Sequence, residues 1–298
     1  ESFKAKVSLM GFPRIVNLPD GKKITVEHKP ERIISLSIGT DEILCALIDQ
    51  NSLNRVVALS RYSTAPEMSN IAEIAGRVGV LVERDAEQIV SLKPDLVLAA
   101  RYTKAELRQI IDQTHVPMVV VSDFHTIAEI SGNIRLIGHA IGEDTRADEI
   151  IDAMQVKLRN ARERLKPERT SLRVLYLAPG NWTAGAATNV HEIITMAGLH
   201  NVAAEAGITG HSKIAVENIL EIDPDLILVA TGHERDRDFV NQLVNDTQLV
   251  ALTAVKKGQI IKLPSRYLRT VSHHLADGVS ALVDAVNTLN GGRALYEQ

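Results

Sequence analysis

Aromatic and arginine side chains gather in the loops that follow predicted β-strands, although aromatic residues make up only 3% of the chain. Aromatic rings pack against planar or bulky ligands, and guanidinium groups bind carboxylates, catecholates and phosphate. The pattern therefore indicates capture of a small, anionic and partly planar molecule. The candidate ligand-binding residues are Arg61, Tyr62, Arg101, Tyr102, Phe124, Trp182, His233, Arg266, Tyr267 and Arg269.

Short apolar runs precede these loops, and they lack the polar–apolar alternation of a half-exposed strand. Such runs are typical of parallel strands that are covered on both faces. Helical patterns lie between them, which predicts an α/β architecture with parallel sheets. The predicted strands are 32–36, 56–59, 96–100, 116–121, 173–177, 226–230 and 259–263, and the predicted helices are 41–48, 105–114, 192–197 and 239–244.

An internal repeat predicts that two parts of the chain are built alike. The segment 86–98 resembles the segment 216–228 at a constant offset. Each copy reads as a short helix, a Pro-Asp turn at Pro94 or Pro224, and a buried strand. Proline ends the helix because it disfavours helical geometry in the residue before it. Two copies imply two Rossmann-like lobes.

The middle of the chain has a different pattern. A helix is predicted over 127–141, ending at Gly142, and a second helix, capped by Asp144 or Thr145, continues to about Leu165. At about 1.5 Å per residue this second helix is roughly 28 Å long, so it is a stiff spacer that allows only a small hinge motion. We therefore expect lobes at 1–142 and 167–298 and a spacer helix at 143–166. A hairpin that turns at Asp20-Gly21 precedes the first lobe.

Composition excludes several classes of function. The net charge is −4 and there is no long basic run, so nucleic acid is not expected as a partner. No apolar stretch reaches the length of a bilayer span. The single cysteine, Cys45, lies in an apolar run and is expected to be a buried thiol. We expect no bound cofactor and no resident metal site.

An enzyme with two α/β lobes is one alternative, and a protein that binds a free metal ion is another. The chain has no phosphate-binding loop, no Gly-x-Gly-x-x-Gly motif after a strand and no Gly-x-Ser-x-Gly elbow, so we expect no catalytic residues. A metal ion would need several His and carboxylate ligands that converge on one point. The ten histidines are scattered along the sequence, which disfavours such a site.

The chain resembles the helix-linked periplasmic binding proteins that serve ABC importers of ferric siderophores, haem and cobalamin. The resemblance runs from about Pro30 to Val286. It is carried by the order and spacing of the segments 30–36, 40–44, 134–138 and 183–185 and of the two Pro-Asp repeats.

The resemblance implies a ligand groove between the lobes, a membrane permease as partner, and one acidic docking residue on each lobe, Glu73 and Glu217. Tyr62, Trp182 and Tyr267 match positions that touch ligand in the cobalamin-binding relatives. We expect an exported monomer that loses a signal peptide, either free in the periplasm or lipid-anchored at the cell surface. We rank a ferric siderophore first as ligand, cobalamin second and haem third.

Overall fold

The structure is a computed structural model, and it describes residues 11–83, 85–232, 236 and 238–289. The chain forms two compact units. The first ends at Ala153 and also contains Val271–His273, and the second comprises Met154–Thr270 and resumes at His274. The residue limits expected from the sequence for two lobes and a spacer stay predictions. None of the helices in the described ranges combines the length and apolarity that a bilayer crossing requires.

The first unit is built on a five-stranded parallel sheet with an antiparallel hairpin ahead of it. The strands are β1 (Arg14–Asn17), β2 (Lys23–Val26), β3 (Ile33–Ser35), β4 (Val56–Ser60), β5 (Leu81–Val82), β6 (Leu96–Ala100) and β7 (Met118–Val121). The helices are α1 (Ile38–Leu47), α2 (Ala72–Val78), α3 (Ala86–Ser91), α4 (Ala105–Asp112) and α5 (Ile127–Ile141), with 3₁₀ helices at Gln50–Arg55 and Arg61–Thr64. The sheet has the order β5-β4-β3-β6-β7, and β1 pairs with β2 in the predicted hairpin.

The long helix α6 (Asp144–Arg164) has 21 residues and contributes to both units. Its beginning and end agree with the prediction within one or two residues. The helix before it, α5, is confirmed at both ends. Thr126 and Glu129 form a capping box at its start, and Gly142 ends it in the left-handed conformation.

The second unit is built on a four-stranded parallel sheet of order β10-β8-β12-β13. The strands are β8 (Arg173–Tyr176), β9 (Trp182–Ala184), β10 (His200–Asn201), β11 (His211–Lys213), β12 (Leu226–Thr231) and β13 (Ile260–Pro264). The helices are α7 (Asn189–Ala197), α8 (Val202–Glu205), α9 (Val216–Ile222), α10 (Phe239–Asn245), α11 (Thr253–Lys256), α12 (Ser265–Leu268) and α13 (Leu275–Thr288), with 3₁₀ helices at Pro167–Arg169 and Leu249–Ala251.

The apolar runs that predicted the strands are buried as expected. All five residues of β6 are fully buried, as are the first five of β12. Helices cover both faces of such strands, so the polar–apolar alternation of a half-exposed sheet is absent. Parallel sheets and α/β class, predicted from these runs, are confirmed.

An Arg/Asp pair fixes the Pro-Asp turn in the first unit. The two carboxylate oxygens of Asp95 accept hydrogen bonds from the backbone N–H groups of Glu31 at 2.7 Å and Arg32 at 2.9 Å. In return, the Arg32 guanidinium donates to the carbonyl oxygens of Leu92 at 2.6 Å and Lys93 at 3.0 Å. These two carbonyl groups lie at the carboxyl end of α3, where the helix itself offers them no N–H donor. The start of β3 is thereby held beside the start of β6.

The same pair recurs in the second unit. Asp225 accepts from the backbone N–H of Arg173 at 2.9 Å, and the Arg173 side chain donates to the carbonyls of Ile222 at 2.8 Å and Asp223 at 3.2 Å. The residue before proline also has a positive φ in both copies, 49° at Lys93 and 38° at Asp223. The internal repeat is therefore a repeat of contacts as well as of residue types.

Several short elements lie outside the predicted set. The strand β5 has only two residues, and β9 pairs with the wholly polar β11 in a small antiparallel ribbon. Neither gives the run or alternation of apolar residues by which strands are recognised in sequence.

Close packing of α5 on the first turn of α6 gives a stability prediction. A β-carbon added at Gly138 would lie 2.7 Å from Cβ of Ala147 and 3.2 Å from the Glu143 carbonyl oxygen, whereas one at Gly132 on the same helix meets nothing within 4 Å. Gly138→Val should lower the free energy of unfolding by about 1–3 kcal/mol because it overpacks this contact. Gly132→Val is the control and should change stability little. Equal losses in chemical denaturation would contradict this account.

Candidate ligand-binding site

A cavity of about 280 Å³ opens in the first unit where β3, β4, β5 and β6 end. The chain first adds β4 and β5 on one side of β3, and it then reverses direction across the sheet and adds β6 and β7 on the other side of β3. This reversal leaves a crevice at the carboxyl ends of the strands, where open α/β sheets bind ligands. The cavity is lined by Leu36, Ser37, Ile38, Ser60, Arg61, Tyr62, Met68, Val82, Glu83, Tyr102, Thr103, Lys104 and Leu107.

Arg61 and Tyr62 enter the cavity lining from the 3₁₀ helix that follows β4. The Arg61 guanidinium donates to Glu83 at 2.7 Å and to the Tyr62 hydroxyl at 3.1 Å, and it lies 4.9 Å from the centroid of the Tyr62 ring. The Arg61 and Glu83 side chains are both exposed. An exposed ion pair of this kind contributes at most about 1 kcal/mol, so a ligand anion can replace Glu83 at little cost.

Tyr102 and Lys104 line the cavity from the loop after β6. Tyr102 is 61% exposed, and its ring lies 6.4 Å from the ring of Phe124. Although the residue as a whole is exposed, its hydroxyl group is withdrawn from water and hydrogen-bonds to the Ser37 side chain, and this withdrawal raises the pKa of the phenol. An exposed ring with an anchored hydroxyl is a suitable surface on which a planar ligand can stack.

Beneath the cavity lies the buried carboxyl group of Asp41, in the first turn of α1. Asp41 accepts hydrogen bonds from the Ser60 backbone N–H at 3.2 Å and from the Ser60 hydroxyl. The Ser60 carbonyl accepts in turn from the Ser63 hydroxyl at 2.7 Å. The loop that carries Arg61 and Tyr62 is therefore fixed at both backbone groups of Ser60.

Burial raises the pKa of the Asp41 carboxyl to about 8, against the opposing effect of hydrogen bonds from Ser35 and Ser60. Desolvation favours the neutral acid because a buried carboxylate loses the hydration that water would give it. The neighbouring Cys45, a buried thiol as predicted, has its pKa raised to about 12, also chiefly by burial. The thiol is therefore unreactive at physiological pH.

A second buried carboxyl, Glu42, has a different set of partners. Its Oε1 accepts from the backbone and side-chain N–H groups of Asn70 at 2.8 and 3.0 Å, and its Oε2 accepts from the Ser272 hydroxyl. Neither partner lines the cavity. Glu42 thus anchors the segment Val271–His273 within the first unit, whereas Asp41 holds Ser60 at the cavity.

Two of the candidate residues of the first unit lie outside the cavity lining. The Arg101 side chain is 72% exposed and pairs with Asp123 at 2.9 Å. Phe124 is only 2% exposed, and its ring packs against Gly39 so closely that a β-carbon there would lie 2.9 Å from it. Ligand contacts at Arg101 and Phe124 stay predictions.

In the second unit, Trp182 begins β9 and is 42% exposed, with the Lys213 ammonium 5.9 Å from its ring centroid. Arg266 and Tyr267 lie on α12, directly after β13, and the Arg266 guanidinium lies 5.1 Å from the Tyr267 ring. These residues occupy a strand-end region as expected, and their role toward a ligand stays a prediction.

Arg269 has strong partners within the second unit. Its guanidinium donates to the buried Asp236 at 3.0 Å and hydrogen-bonds to the hydroxyl of the buried Tyr176, whose pKa is raised mainly by burial. Ser265 also donates to Asp236, at 3.1 Å. These contacts give Arg269 a structural role beside its predicted role in binding, which no observation tests.

His233 lies outside the described residues. Among the residues that are described, no group of three or more His, Cys, Asp or Glu side chains is arranged to hold a metal ion.

Sequence reasoning missed Lys104, Glu83, Ser60 and Asp41. Lys104 belongs to the same loop as Tyr102 and could have been included on that ground. Glu83 follows the two-residue strand β5, which has no recognisable pattern. Asp41 reads as a charged residue in the first turn of a helix, an ordinary favourable position, and nothing in the sequence signals its burial.

The two predicted docking residues are exposed and similarly placed. Glu73 lies in the first turn of α2, in the first unit, and Glu217 lies in the first turn of α9, in the second. Both carboxylates are therefore available to a partner, and docking itself is untested.

The raised pKa of Asp41 predicts how stability depends on pH. Between its ordinary value of 3.8 and about 8, the folded chain keeps a proton on Asp41 that the unfolded chain has released. The free energy of unfolding should therefore fall as pH rises through this range. Asp41→Asn removes this dependence and should be more stable than the parent by on the order of 5 kcal/mol at pH 8, with no gain near pH 4.

Thermal unfolding of both proteins at several pH values measures the difference. Asp112→Asn, a change at an exposed carboxyl, is the control. A gap between Asp41→Asn and its parent that stays constant from pH 4 to pH 8 would contradict the prediction.

The fold matches that of known binding proteins. The periplasmic haem-binding protein RhuT from Roseiflexus sp. RS-1, in its apo form, superposes with a TM-score of 0.72 at 25% identity, over 86% of this chain and 97% of that one.

Three curated relatives agree with this match. An ABC transporter substrate-binding lipoprotein of Bacillus subtilis, YvrC, is 27% identical over 77% of this chain and 73% of its own. The molybdate-binding protein MolA of Haemophilus influenzae is 26% identical over 84% and 75%. A cobalamin-binding protein of Halobacterium salinarum is 24% identical over 92% and 74%.

The family model described as periplasmic binding protein matches residues 33–267, from the first strand of the first parallel sheet to helix α12 after β13. The resemblance inferred from the Pro-Asp repeats and the spacer helix is confirmed. The chain belongs to the periplasmic binding protein family, and the relatives named above carry the names of substrate-binding or ligand-binding proteins.

Proposed function

We propose that this protein is the solute-binding component of an ABC importer, and that it captures an anionic metal chelate, foremost a ferric siderophore. The observation that carries the proposal is the cavity at the carboxyl ends of β3, β4 and β6, with Arg61, Tyr62, Tyr102 and Lys104 in its lining. The ligand is transported and not transformed. We further propose that it is held in a groove between the two lobes and passed to a membrane permease.

The charge and shape of the cavity favour an organic anion. Two cationic side chains, Arg61 and Lys104, face one carboxylate, Glu83, so the lining has an excess of positive charge. Five apolar residues also line it: Leu36, Ile38, Met68, Val82 and Leu107. A small hydrated oxyanion gains nothing from such walls, whereas a chelate with an organic shell buries apolar surface against them.

Haem moves ahead of cobalamin to second place, because the exposed Tyr102 ring offers a stacking surface for a planar ligand. A tyrosine oxygen can serve as the axial ligand of haem iron, and haem carries carboxylates that Arg61 or Lys104 would bind. Cobalamin is the third candidate, because it offers less negative charge to this lining. Turnover of any offered substrate would point to an enzyme instead, and tight binding of free zinc or manganese alone would point to a metal-ion carrier.

Spectroscopic titration tests the proposal. Ferric citrate, a ferric catecholate, a ferric hydroxamate, haemin and cyanocobalamin are each added to the purified protein. Visible absorbance and quenching of Trp182, the single tryptophan, report binding. Arg61→Ala should weaken binding of an anionic chelate about ten-fold, because a charge-assisted hydrogen bond is lost.

Arg135→Ala is the matched control, since Arg135 forms a comparable exposed ion pair with Asp148 at 3.3 Å and lies outside the cavity lining. Loss of binding in both variants, or in neither, would count against the assignment of the site. No response of the parent protein to any of the probes would overturn the proposed ligand class.

Docking makes a separate prediction. Replacing Glu73 and Glu217 with lysine should abolish uptake by the permease and leave ligand affinity unchanged, because exposed charges orient weak docking. Glu87→Lys is the control, since Glu87 is the repeat equivalent of Glu217 and lies in the first turn of α3. Uptake that survives the double change would show that the docking residues are elsewhere.

A further inference from the structure

The carboxyl of Asp41 is separated from the ligand cavity by one residue. It lies fully buried beneath Ser60, whose backbone N–H and hydroxyl both donate to it, and Ser60 itself lines the cavity. A ligand atom in contact with Ser60 is therefore within about two hydrogen-bond lengths, roughly 6 Å, of the Asp41 oxygens. A charge on this buried group acts on the ligand through protein and not through water.

The groups that face Asp41 add no positive charge. They are Glu42 and Cys45 on the same helix, Tyr102 after β6, and the hydroxyls of Ser35 and Ser60. The cations of the cavity, Arg61 and Lys104, belong to its lining. An ionised Asp41 would therefore offset much of the positive excess of the lining.

We propose that Asp41 is a specificity-determining residue: as a neutral acid it holds Ser60 and admits an anionic ligand, and when ionised it disfavours that ligand. This inference rests on the proposed function of the cavity and names the property of the site that selects ligand charge. It also couples ligand release to proton loss, because a group that repels the ligand when ionised takes up a proton when the ligand binds.

Two effects of ionisation oppose each other, and their sizes decide the sign. A carboxylate accepts the two Ser60 hydrogen bonds more strongly than a carboxylic acid does, which tightens the ligand loop and is worth about five-fold in affinity. Repulsion between two unit charges about 6 Å apart, at an effective dielectric constant of about 20, is worth about a hundred-fold. The loss of affinity through repulsion exceeds the gain from the stronger hydrogen bonds, so affinity for an anion should fall as Asp41 ionises.

The pKa of about 8 places the transition in an accessible range. Two other groups near Asp41 do not titrate in this range. Cys45, with a pKa of about 12, stays a neutral thiol, and Tyr102, whose pKa is raised, stays a neutral phenol. A change in affinity between pH 6.5 and 9.5 that vanishes in Asp41→Asn is therefore assigned to Asp41.

The experiment measures the dissociation constant of the chelate that binds the parent protein best, at pH values from 6.5 to 9.5. The parent should lose affinity by about ten-fold or more across this range, and Asp41→Asn should hold the affinity nearly constant. Because both proteins are titrated with the same probe, proton loss by the chelate itself cancels from the comparison. Glu42→Gln, a change at the adjacent buried carboxyl that does not contact the cavity, should retain the fall of the parent.

A ligand-free measurement separates this inference from the proposed function. The amide NMR signals of Ser60, Arg61 and Tyr62 should shift together with a midpoint near pH 8 in the parent and at a lower pH in Glu42→Gln, because the Glu42 charge contributes to the raised pKa of Asp41, and should not do so in Asp41→Asn. If no probe binds the parent, the proposed ligand is wrong, and the NMR titration still decides whether Asp41 acts on the ligand loop. Amides that show no common transition, or Asp41→Asn with the pH profile of the parent, would overturn the inference.

Discussion

Register between parallel strands is the constraint on which the rest of the structure depends. Parallel strands have no tight turn to align them, because each connection is a long crossover. Here the alignment is made at the amino ends of the strands. A carboxylate after proline, Asp95 or Asp225, accepts from the backbone of the neighbouring strand, and an arginine, Arg32 or Arg173, satisfies the last carbonyls of the preceding helix. With the amino ends fixed, the carboxyl ends reach the same edge of each sheet, and the loops that form the cavity emerge side by side.

At that edge of the first sheet, the end of β4 is held by a hydrogen bond to a buried carboxyl group. β4 ends at Ser60, where the chain turns into the 3₁₀ helix that carries Arg61 and Tyr62, and the backbone N–H of Ser60 donates to a side chain. Asp41 supplies the acceptor from the neighbouring helix. A neutral carboxylic acid can accept this hydrogen bond at a lower desolvation cost than a carboxylate. Burial therefore raises the pKa of Asp41, so that the group stays neutral in the folded unit. The structural requirement for an acceptor thus leaves a titratable group below a ligand cavity.

The sequence predicts the parts of the fold that depend on burial and helix ends, and little of what depends on contacts between distant residues. The apolar runs of β6 and β12, the capped helix from Ile127 to Ile141 and the Pro-Asp repeat were all recognisable, because each rests on a local pattern. The ribbon of β9 and β11 was not, because its polar residues pair across a loop. Arg61, Tyr62 and Tyr102 were found by type and position in strand-end loops, whereas Arg101 and Phe124, from equally suitable loops, lie outside the cavity lining. A loop position limits where a side chain starts and does not determine where it points.

Ligand choice depends on the direction of loop side chains, and membership of the family therefore does not identify the ligand. Relatives with a quarter of their residues in common carry names that refer to molybdate, cobalamin and haem. These names differ although the fold superposes on that of RhuT with a TM-score of 0.72. Strand registers depend on buried residues, whereas ligand choice depends on loop side chains. In the present chain the informative features are charges: Arg61 and Lys104 against Glu83 in the lining, with Asp41 neutral below them. A ligand is therefore better sought by the charge it must carry than by the name of any one relative.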